Sequence, residues 1–279
     1  MSWIRNFWRH KLAIEYEQGY MIVAVNNSTT DYVKCAQVLA HSLKAHEPDA
    51  KICLLTDKSV SDPVFDIIKH LPYGNTSQLT WQLDLDWQVF FASPFRETIK
   101  LEADMLIASP INHWFSAMRI LPVCLTVGCY NYHGQRSKTR AYRRVFDDNN
   151  LLDVYNAVTY WRLSNEAREF FLTVKNIFQH WPIYMSAIKG GADQLPNTDL
   201  AYAIAVELLG KESFYIPQAT YPQIVHMKPA VAQTSGRWDH ELTWEIDQAQ
   251  VRINGFAQVG AVHYHEKLLA QDFTPYYVG

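Results

Sequence analysis

The order of apolar runs in the first sixty residues constrains the fold more than any other feature of this sequence. Residues 21–25 form a continuous apolar run typical of a buried strand, and residues 50–57 contain a second such run. Between them, residues 31–48 place apolar side chains at helical spacing and end at Pro48. This order predicts parallel strands joined by a crossover helix, and therefore a mostly parallel sheet covered by helices.

The rest of the chain continues the alternation of strands and helices. A further helix is predicted over residues 63–72, closed by Pro72. Strands are predicted over residues 98–101, 119–130 and 151–163, and helices over residues 164–181, with Ser164 as its cap, and 197–210, ended by Gly210. We therefore predict one α/β domain with a mostly parallel central sheet and helices on both faces. Its ligands are expected at the carboxyl ends of the strands.

The N-terminal residues 1–19 are predicted to form a helical segment packed on a single domain that spans residues 20–279. A membrane-surface anchor is the alternative for this segment. No apolar run reaches the roughly 20 residues of a membrane span. The 4 cysteines lack the CxxC spacing of metal or redox motifs, which favours buried thiols in a reducing, cytoplasmic compartment.

Two carboxylates, Glu102 and Asp104, interrupt an apolar run. Residues two apart on a strand project to the same face, so these carboxylates repel each other unless they share a cation. Oxygen ligands suit Mg²⁺ or Mn²⁺. The alternative is a solvated strand end with Lys100 as counter-ion, and a second acid pair at Asp84 and Asp86 shows that the pattern alone is weak.

Five segments of the chain, taken in order, carry a family resemblance. They are residues 20–43, 98–115, 153–164, 197–205 and 261–267. Together they resemble the GT-A glycosyltransferases, in particular the glycogenin and lipopolysaccharide galactosyltransferase family. Glu102 stands where that family has the first Asp of an Asp-x-Asp motif, and Asn197 and Thr198 also depart from its pattern. The resemblance implies a single GT-A domain that transfers a sugar from a nucleotide-sugar donor, expected to be UDP-linked, to an acceptor hydroxyl.

The resemblance also implies a metal site. Glu102, Asp104 and His263 match the family's ligands for Mn²⁺ or Mg²⁺, and Lys267 matches a contact to the donor diphosphate. His265 is the competing imidazole, and the sequence leaves a swap with His263 open. A divalent cation and a lysine are what the reaction needs, because negative charge builds on the diphosphate as the glycosidic bond breaks.

Further donor contacts follow from the same resemblance. Val25, Asn26 and Asn27 match the loop that holds the nucleoside, and Tyr32 matches an aromatic that stacks on the base, although it could simply pack. Arg96 is expected to reach phosphate or sugar, with a surface salt bridge as the alternative.

The predicted catalytic residues are Asp104, Asp199 and Asn197. Asp199, with Asn197 beside it, resembles the acids that bind sugar hydroxyls in the family. The alternative role for Asp199, compatible with the first, is an N-terminal helix cap.

A basic segment is the strongest local charge feature of a chain whose net charge is -3. Its cationic residues are Arg136, Lys138, Arg140, Arg143 and Arg144. With Tyr142 among them, they could contact a nucleic-acid backbone and stack on a base. The chain also resembles bacteriophage glycosyltransferases that modify hydroxymethylated pyrimidines in DNA, which would place it in the host cytoplasm. A solvated loop and a glycan or lipid-linked acceptor are the alternatives.

Two other functions remain open at the level of sequence. A nucleotidyltransferase also uses paired acids on an α/β sheet, but its usual glycine-rich phosphate loop is absent, because residues 25–32 contain no glycine. A glycosyltransferase-like binding module without catalysis is the other alternative, given the departures at Glu102 and Thr198.

Overall fold

The computed structural model describes residues 14–71, 83–137, 144–210, 214–215, 222–232, 234–235, 241–247 and 250–277. A six-stranded sheet lies at the centre. In spatial order its strands are β3 (Ile67–His70), β2 (Ile52–Thr56), β1 (Tyr16–Ala24), β4 (Phe95–Glu102), β9 (Val154–Arg162) and β6 (Val123–Val127). The first four run parallel, and β9 is antiparallel to both of its neighbours. The sheet is thus mostly parallel, as predicted.

Helices cover both faces of this sheet. They are α1 (Tyr32–His46), α2 (Val89–Ala92), α3 (His113–Met118), α4 (Arg144–Asp148), α5 (Asn165–Gln179), α6 (Trp181–Ser186), α7 (Thr198–Leu209), α8 (Pro229–Ala232) and α9 (Leu269–Tyr277), with a 3₁₀ turn over Leu83–Gln88. Tyr20 and Ile22 of β1 join the core under α1, whereas Met21 between them joins the core under α5 and α7. Because side chains alternate along a strand, this burial on both faces explains the unbroken apolar run.

Local capping signals in the sequence are confirmed. The Ser164 side chain accepts a hydrogen bond from the Ala167 amide at the start of α5. Gly210 follows α7 with a φ of 99°, which favours glycine. The cysteines Cys35, Cys53, Cys124 and Cys129 are all buried free thiols, as predicted.

A second sheet of five strands positions the site. In spatial order it consists of β5 (Met105–Ile107), β14 (Ala261–His263), β10 (Ile224–His226), β7 (Cys129–Tyr130) and β8 (Arg136–Ser137). Gly128, with a φ of 72°, separates β6 from β7 and lets the chain pass from the first sheet to the second. A three-stranded sheet, β11 (Trp244–Asp247), β12 (Gln250–Ile253) and β13 (Phe256–Ala257), completes the described strands.

Two predicted elements need correction. The helix predicted over residues 63–72 is wrong: this segment contains β3, which pairs in parallel with β2. Two consecutive isoleucines, Ile67 and Ile68, favour a strand, and the segment is short enough for tertiary pairing to override a helical pattern. The N-terminal helical segment lies mostly in residues 1–13, outside the described residues. Its last part is strand, because β1 begins at Tyr16.

None of the helices in the described part of the chain is both long and apolar enough to cross a membrane.

Candidate metal and donor site

Strand register brings the acidic motif and the late histidine together. Glu102 ends β4, and Asp104 directly precedes β5. β5 pairs antiparallel with β14, so that His263 lies opposite Met105. The Tyr264 amide then donates a hydrogen bond of 3.2 Å to the Asp104 carbonyl. The backbone ladder of the second sheet therefore holds residues 104 and 263 side by side.

Three ligand atoms converge in what we call the acidic cluster, formed by Glu102, Asp104 and His263. Asp104 Oδ2 lies 2.9 Å from His263 Nε2, and Glu102 Oε2 lies 3.4 Å from His263 Nδ1. All three residues offer a ligand atom within 4.8 Å of the others. Asp104 and His263 are 5% and 3% exposed, whereas the Glu102 side chain is 30% exposed, so the cluster opens to solvent on the Glu102 side.

The electrostatics keep Asp104 ionised. Burial alone would raise the pKa of Asp104, but His263 and Lys267 beside it lower that pKa well below its ordinary value. Lys267 Nζ lies 2.6 Å from Asp104 Oδ2. Burial would lower the pKa of Lys267, but Asp104 outweighs that effect and raises it. A carboxylate and an ammonium are thus both charged at neutral pH.

The donor set fits a divalent cation. Two carboxylates and one imidazole match the ligands preferred by Mn²⁺, and the oxygens also suit Mg²⁺. His263 Nε2 is buried and makes no hydrogen bond, although Asp104 Oδ2 is only 2.9 Å away. This nitrogen therefore faces the carboxylate oxygen with which it would share an ion.

The loop after β1 lies beside this cluster, because Val23 pairs with Glu102 across β1 and β4. Asn27 Oδ1 accepts hydrogen bonds of 2.9 and 2.8 Å from the Thr29 and Thr30 amides. Asn26 Oδ1 accepts one of 3.0 Å from the Val33 amide. These asparagine side chains build the loop.

Two further predicted donor residues flank that loop. Val25 follows β1 and is half-buried, and Tyr32 opens α1. Burial raises the pKa of Tyr32, and the charges of Lys267, Asp104 and Glu102 act on it as well. Tyr32 therefore lies close to the acidic cluster. The side chains of Asn26 and Asn27 instead form hydrogen bonds within the loop.

Arg96 lies elsewhere. It stands near the start of β4, six residues before Glu102, a separation of about 20 Å along an extended strand. Its side chain is exposed and pairs with Glu17 at 3.0 Å. Of the two roles expected for Arg96, the structure shows the surface salt bridge, and the residue lies outside the acidic cluster.

The two residues predicted at the start of α7 have separate structural roles. Asn197 is the helix cap, since its Oδ1 accepts a hydrogen bond of 2.9 Å from the Leu200 amide. Asp199 Oδ1 instead accepts a hydrogen bond of 2.8 Å from the Asn156 amide and ties α7 to β9. The capping role considered for Asp199 thus belongs to Asn197.

The sequence analysis did not predict a buried polar network that lies beside Glu102. Lys100 is 2% exposed, and its Nζ lies 2.6 Å from Asp86 Oδ1. Asp86 Oδ2 accepts hydrogen bonds from the Tyr202 hydroxyl at 2.6 Å and from Asn156 Nδ2 at 3.3 Å. Lys100 is thus the counter-ion of Asp86 and not of the acidic motif. The available signal was a lysine inside a buried strand, which requires an acid partner.

Three histidines form a second group, which we call the three-histidine cluster: His226, His263 and His265. Each offers one ligand atom within 4.8 Å of the others. His226 lies opposite His263 in the pairing of β10 with β14. The structure therefore separates the two competing imidazoles, because His263 joins the acidic cluster and His265 does not. His226 carries no signal in the sequence, since only strand pairing brings it here.

The basic segment is described at its two ends. Arg136 in β8 and Arg144 at the start of α4 are exposed. Lys138, Arg140 and Arg143 lie outside the described residues. β8 belongs to the same sheet as β14, so the segment leaves from the sheet that carries His263.

Comparison with known proteins gives a result at the level of the fold. No protein-family model and no curated protein matches the sequence. Among solved structures, the galactosyltransferase LgtC in complex with donor and acceptor sugar analogues matches with a TM-score of 0.55 at 10% identity, over 94% of this chain and 96% of that chain. The chain has the fold of these glycosyltransferases. The predicted GT-A fold class is therefore confirmed.

Two other glycosyltransferases share the fold with shorter coverage of their own chains. The bifunctional WbbM matches with a TM-score of 0.53 at 8% identity, over 95% of this chain and 50% of that one. GlyE of Streptococcus pneumoniae matches with a TM-score of 0.52 at 11% identity, over 95% of this chain and 61% of that one.

Proposed function

We propose that this protein is a metal-dependent glycosyltransferase that moves a sugar from a nucleotide-sugar, expected to be UDP-linked, to an acceptor hydroxyl. The observation that carries the proposal is the acidic cluster with Lys267, placed at the strand ends of a glycosyltransferase fold. Sequence segments more than 150 residues apart converge there on one set of cation ligands, which a solvated strand end would not need.

Different residues would contact the metal, the diphosphate and the nucleoside of the donor. Glu102, Asp104 and His263 would hold Mn²⁺ or Mg²⁺, which supplies positive charge for the leaving diphosphate when bound. Lys267 is charged and would donate hydrogen bonds to a phosphate oxygen in addition to Asp104. Tyr32 and the loop containing Val25, Asn26 and Asn27 would face the nucleoside.

The sugar and the acceptor would lie on the side of β9 and α7. Asp199, whose Oδ1 accepts a hydrogen bond of 2.8 Å from the Asn156 amide, would bind a sugar hydroxyl. Asn197 caps the same helix beside it. The exposed Arg136 and Arg144 at the ends of the basic segment support a modified pyrimidine in DNA as acceptor, with a glycan or lipid-linked sugar as the second candidate.

Thermal unfolding with Mn²⁺ and UDP tests the donor site. A ligand that binds only the folded state stabilises it by about 2.7 kcal/mol at one hundred times its dissociation constant. Wild type should therefore melt several degrees higher with both ligands, whereas Asp104→Asn should lose the shift. Asp49→Asn, an exposed acid in the turn after α1, is the matched control and should keep it.

The products separate the candidate functions. Incubation with Mn²⁺ and a panel of UDP-sugars should release UDP, and Asp104→Asn should abolish that release. Release of pyrophosphate from a nucleoside triphosphate and a sugar phosphate would favour a nucleotidyltransferase. Tight UDP binding with no turnover of any sugar would favour a binding module, and the absence of any thermal shift would contradict all three.

A further inference from the structure

Three imidazoles lie within reach of one another next to the acidic cluster. His226 ends β10, His263 ends β14, and His265 follows two residues later. His265 Nε2 lies 3.0 Å from His226 Nδ1, and each of the three residues offers one ligand atom within 4.8 Å of the others. His226 and His263 are 0% and 3% exposed. Three nitrogen ligands are thus gathered in a largely buried place.

The backbone of His265 is arranged to put its ring there. His265 has a φ of 60°, in the left-handed region that residues other than glycine rarely adopt. Such a conformation persists only where the surroundings demand it, and it is found preferentially at functional sites.

The ligand type and spacing of the three-histidine cluster differ from those of the acidic cluster. Zn²⁺ binds imidazole nitrogen at about 2.0–2.1 Å, which sets tetrahedral ligands about 3.3 Å apart. The 3.0 Å separation of His265 Nε2 and His226 Nδ1 is close to that value. The Tyr155 hydroxyl contacts His263 Nδ1 and lies 3.5 Å from His265 Nε2, so an oxygen is also at hand.

We propose that His226, His263 and His265 form a second cation site, selective for a nitrogen-preferring divalent transition metal such as Zn²⁺. Mn²⁺ and Mg²⁺ prefer the oxygen-rich acidic cluster, whereas three imidazoles favour Zn²⁺. The site does not depend on the proposed glycosyltransferase activity, although it shares His263 with the acidic cluster.

Calorimetric titration of the metal-free full-length protein with Zn²⁺ tests this site. Wild type should bind Zn²⁺ in the micromolar range or tighter. His226→Gln and His265→Asn should each lower the affinity at least about tenfold, since even residues that only orient metal ligands contribute that much. Asparagine is chosen at position 265 because it tolerates a positive φ. His180→Gln, an exposed histidine at the end of α5, is the control and should bind like wild type.

Two further measurements separate this site from the acidic cluster and from misfolding. Asp104→Asn should lose less Zn²⁺ affinity than either histidine variant, because the Asp104 carboxylate only orients His263, while it loses the Mn²⁺-dependent UDP shift. Circular dichroism of the metal-free variants should match wild type, and Co²⁺ should give the intense visible absorption of a four-coordinate nitrogen site, reduced in both histidine variants. Wild-type affinity in folded His226→Gln and His265→Asn, or loss of Zn²⁺ binding in Asp104→Asn alone, would overturn the proposal.

Discussion

At the scale of single residues, the buried cation Lys100 forms an ion pair that the acidic motif alone does not predict. Lys100 is two residues before Glu102 on β4 and is almost fully buried. A buried ammonium needs a partner, and Asp86 supplies it at 2.6 Å. Because Tyr202 and Asn156 also bond to Asp86, this ion pair joins the central sheet to α7. The pair is therefore a structural support next to Glu102.

Replacing Lys100 with alanine should destabilise the protein by about 3–5 kcal/mol, because it leaves the Asp86 carboxylate buried and unpaired. Urea denaturation measures this loss. The double variant Lys100→Met and Asp86→Leu should recover part of it, since no buried charge then remains. Lys51→Ala, which breaks an exposed pair with Asp66, is the control and should have little effect. Equal losses of stability in Lys100→Ala and Lys51→Ala would contradict the assigned role of Lys100.

At the scale of elements, the local sequence pattern predicted three helices correctly, but strand pairing overrides that pattern at β3. The helices α1, α5 and α7 were all predicted, and each has an N-terminal cap that acts within three residues, of which the sequence analysis identified Ser164. β3 was mistaken for a helix because its strand character depends on β2, more than ten residues earlier. For the basic segment, the sequence analysis predicted a binding role from charge alone. Charge does not predict whether such a segment forms a helix, a strand or a loop.

The basic segment can be tested as an element. Replacing Arg140, Arg143 and Arg144 with alanine should weaken binding to double-stranded DNA and reduce the slope of log affinity against log salt by up to about 3, if each contacts a phosphate. Fluorescence anisotropy at several salt concentrations measures both quantities. A variant with Lys51, Lys58 and Lys69 replaced by alanine has the same change in net charge and should bind like wild type. Equal effects in the two variants would show that DNA is attracted only by the overall charge of the protein and not by the basic segment.

At the scale of the whole molecule, two cores share one sheet. One lies under α1 and includes Leu39, and the other lies under α5 and α7 and includes Phe171. Strands β1 and β4 contribute side chains to both cores, so neither core is complete without the other. The acidic cluster depends on this arrangement, because its members come from β4, the turn before β5, and β14.

The shared sheet predicts a single cooperative unfolding transition. Leu39→Ala and Phe171→Ala should each lower stability by about 2–5 kcal/mol, and each should shift the whole transition. Far-ultraviolet circular dichroism and tryptophan fluorescence should give coincident melting curves for both variants. Two separate transitions in either variant would show that the cores unfold independently.

The sequence by itself determined the alternation of strands and helices and the approximate ends of α1, α5 and α7, whereas Asp104 lies in the turn after β4 and not on the strand predicted to carry it. The alternation and these helix ends follow from side-chain periodicity and from hydrogen bonds that close within a few residues. Only the tertiary structure decided that His263 faces Asp104, that His226 joins His265, that Lys100 pairs with Asp86 and that Arg96 lies at the far end of its strand. Each of these contacts depends on strand register and packing between segments far apart in the chain, which no local pattern encodes.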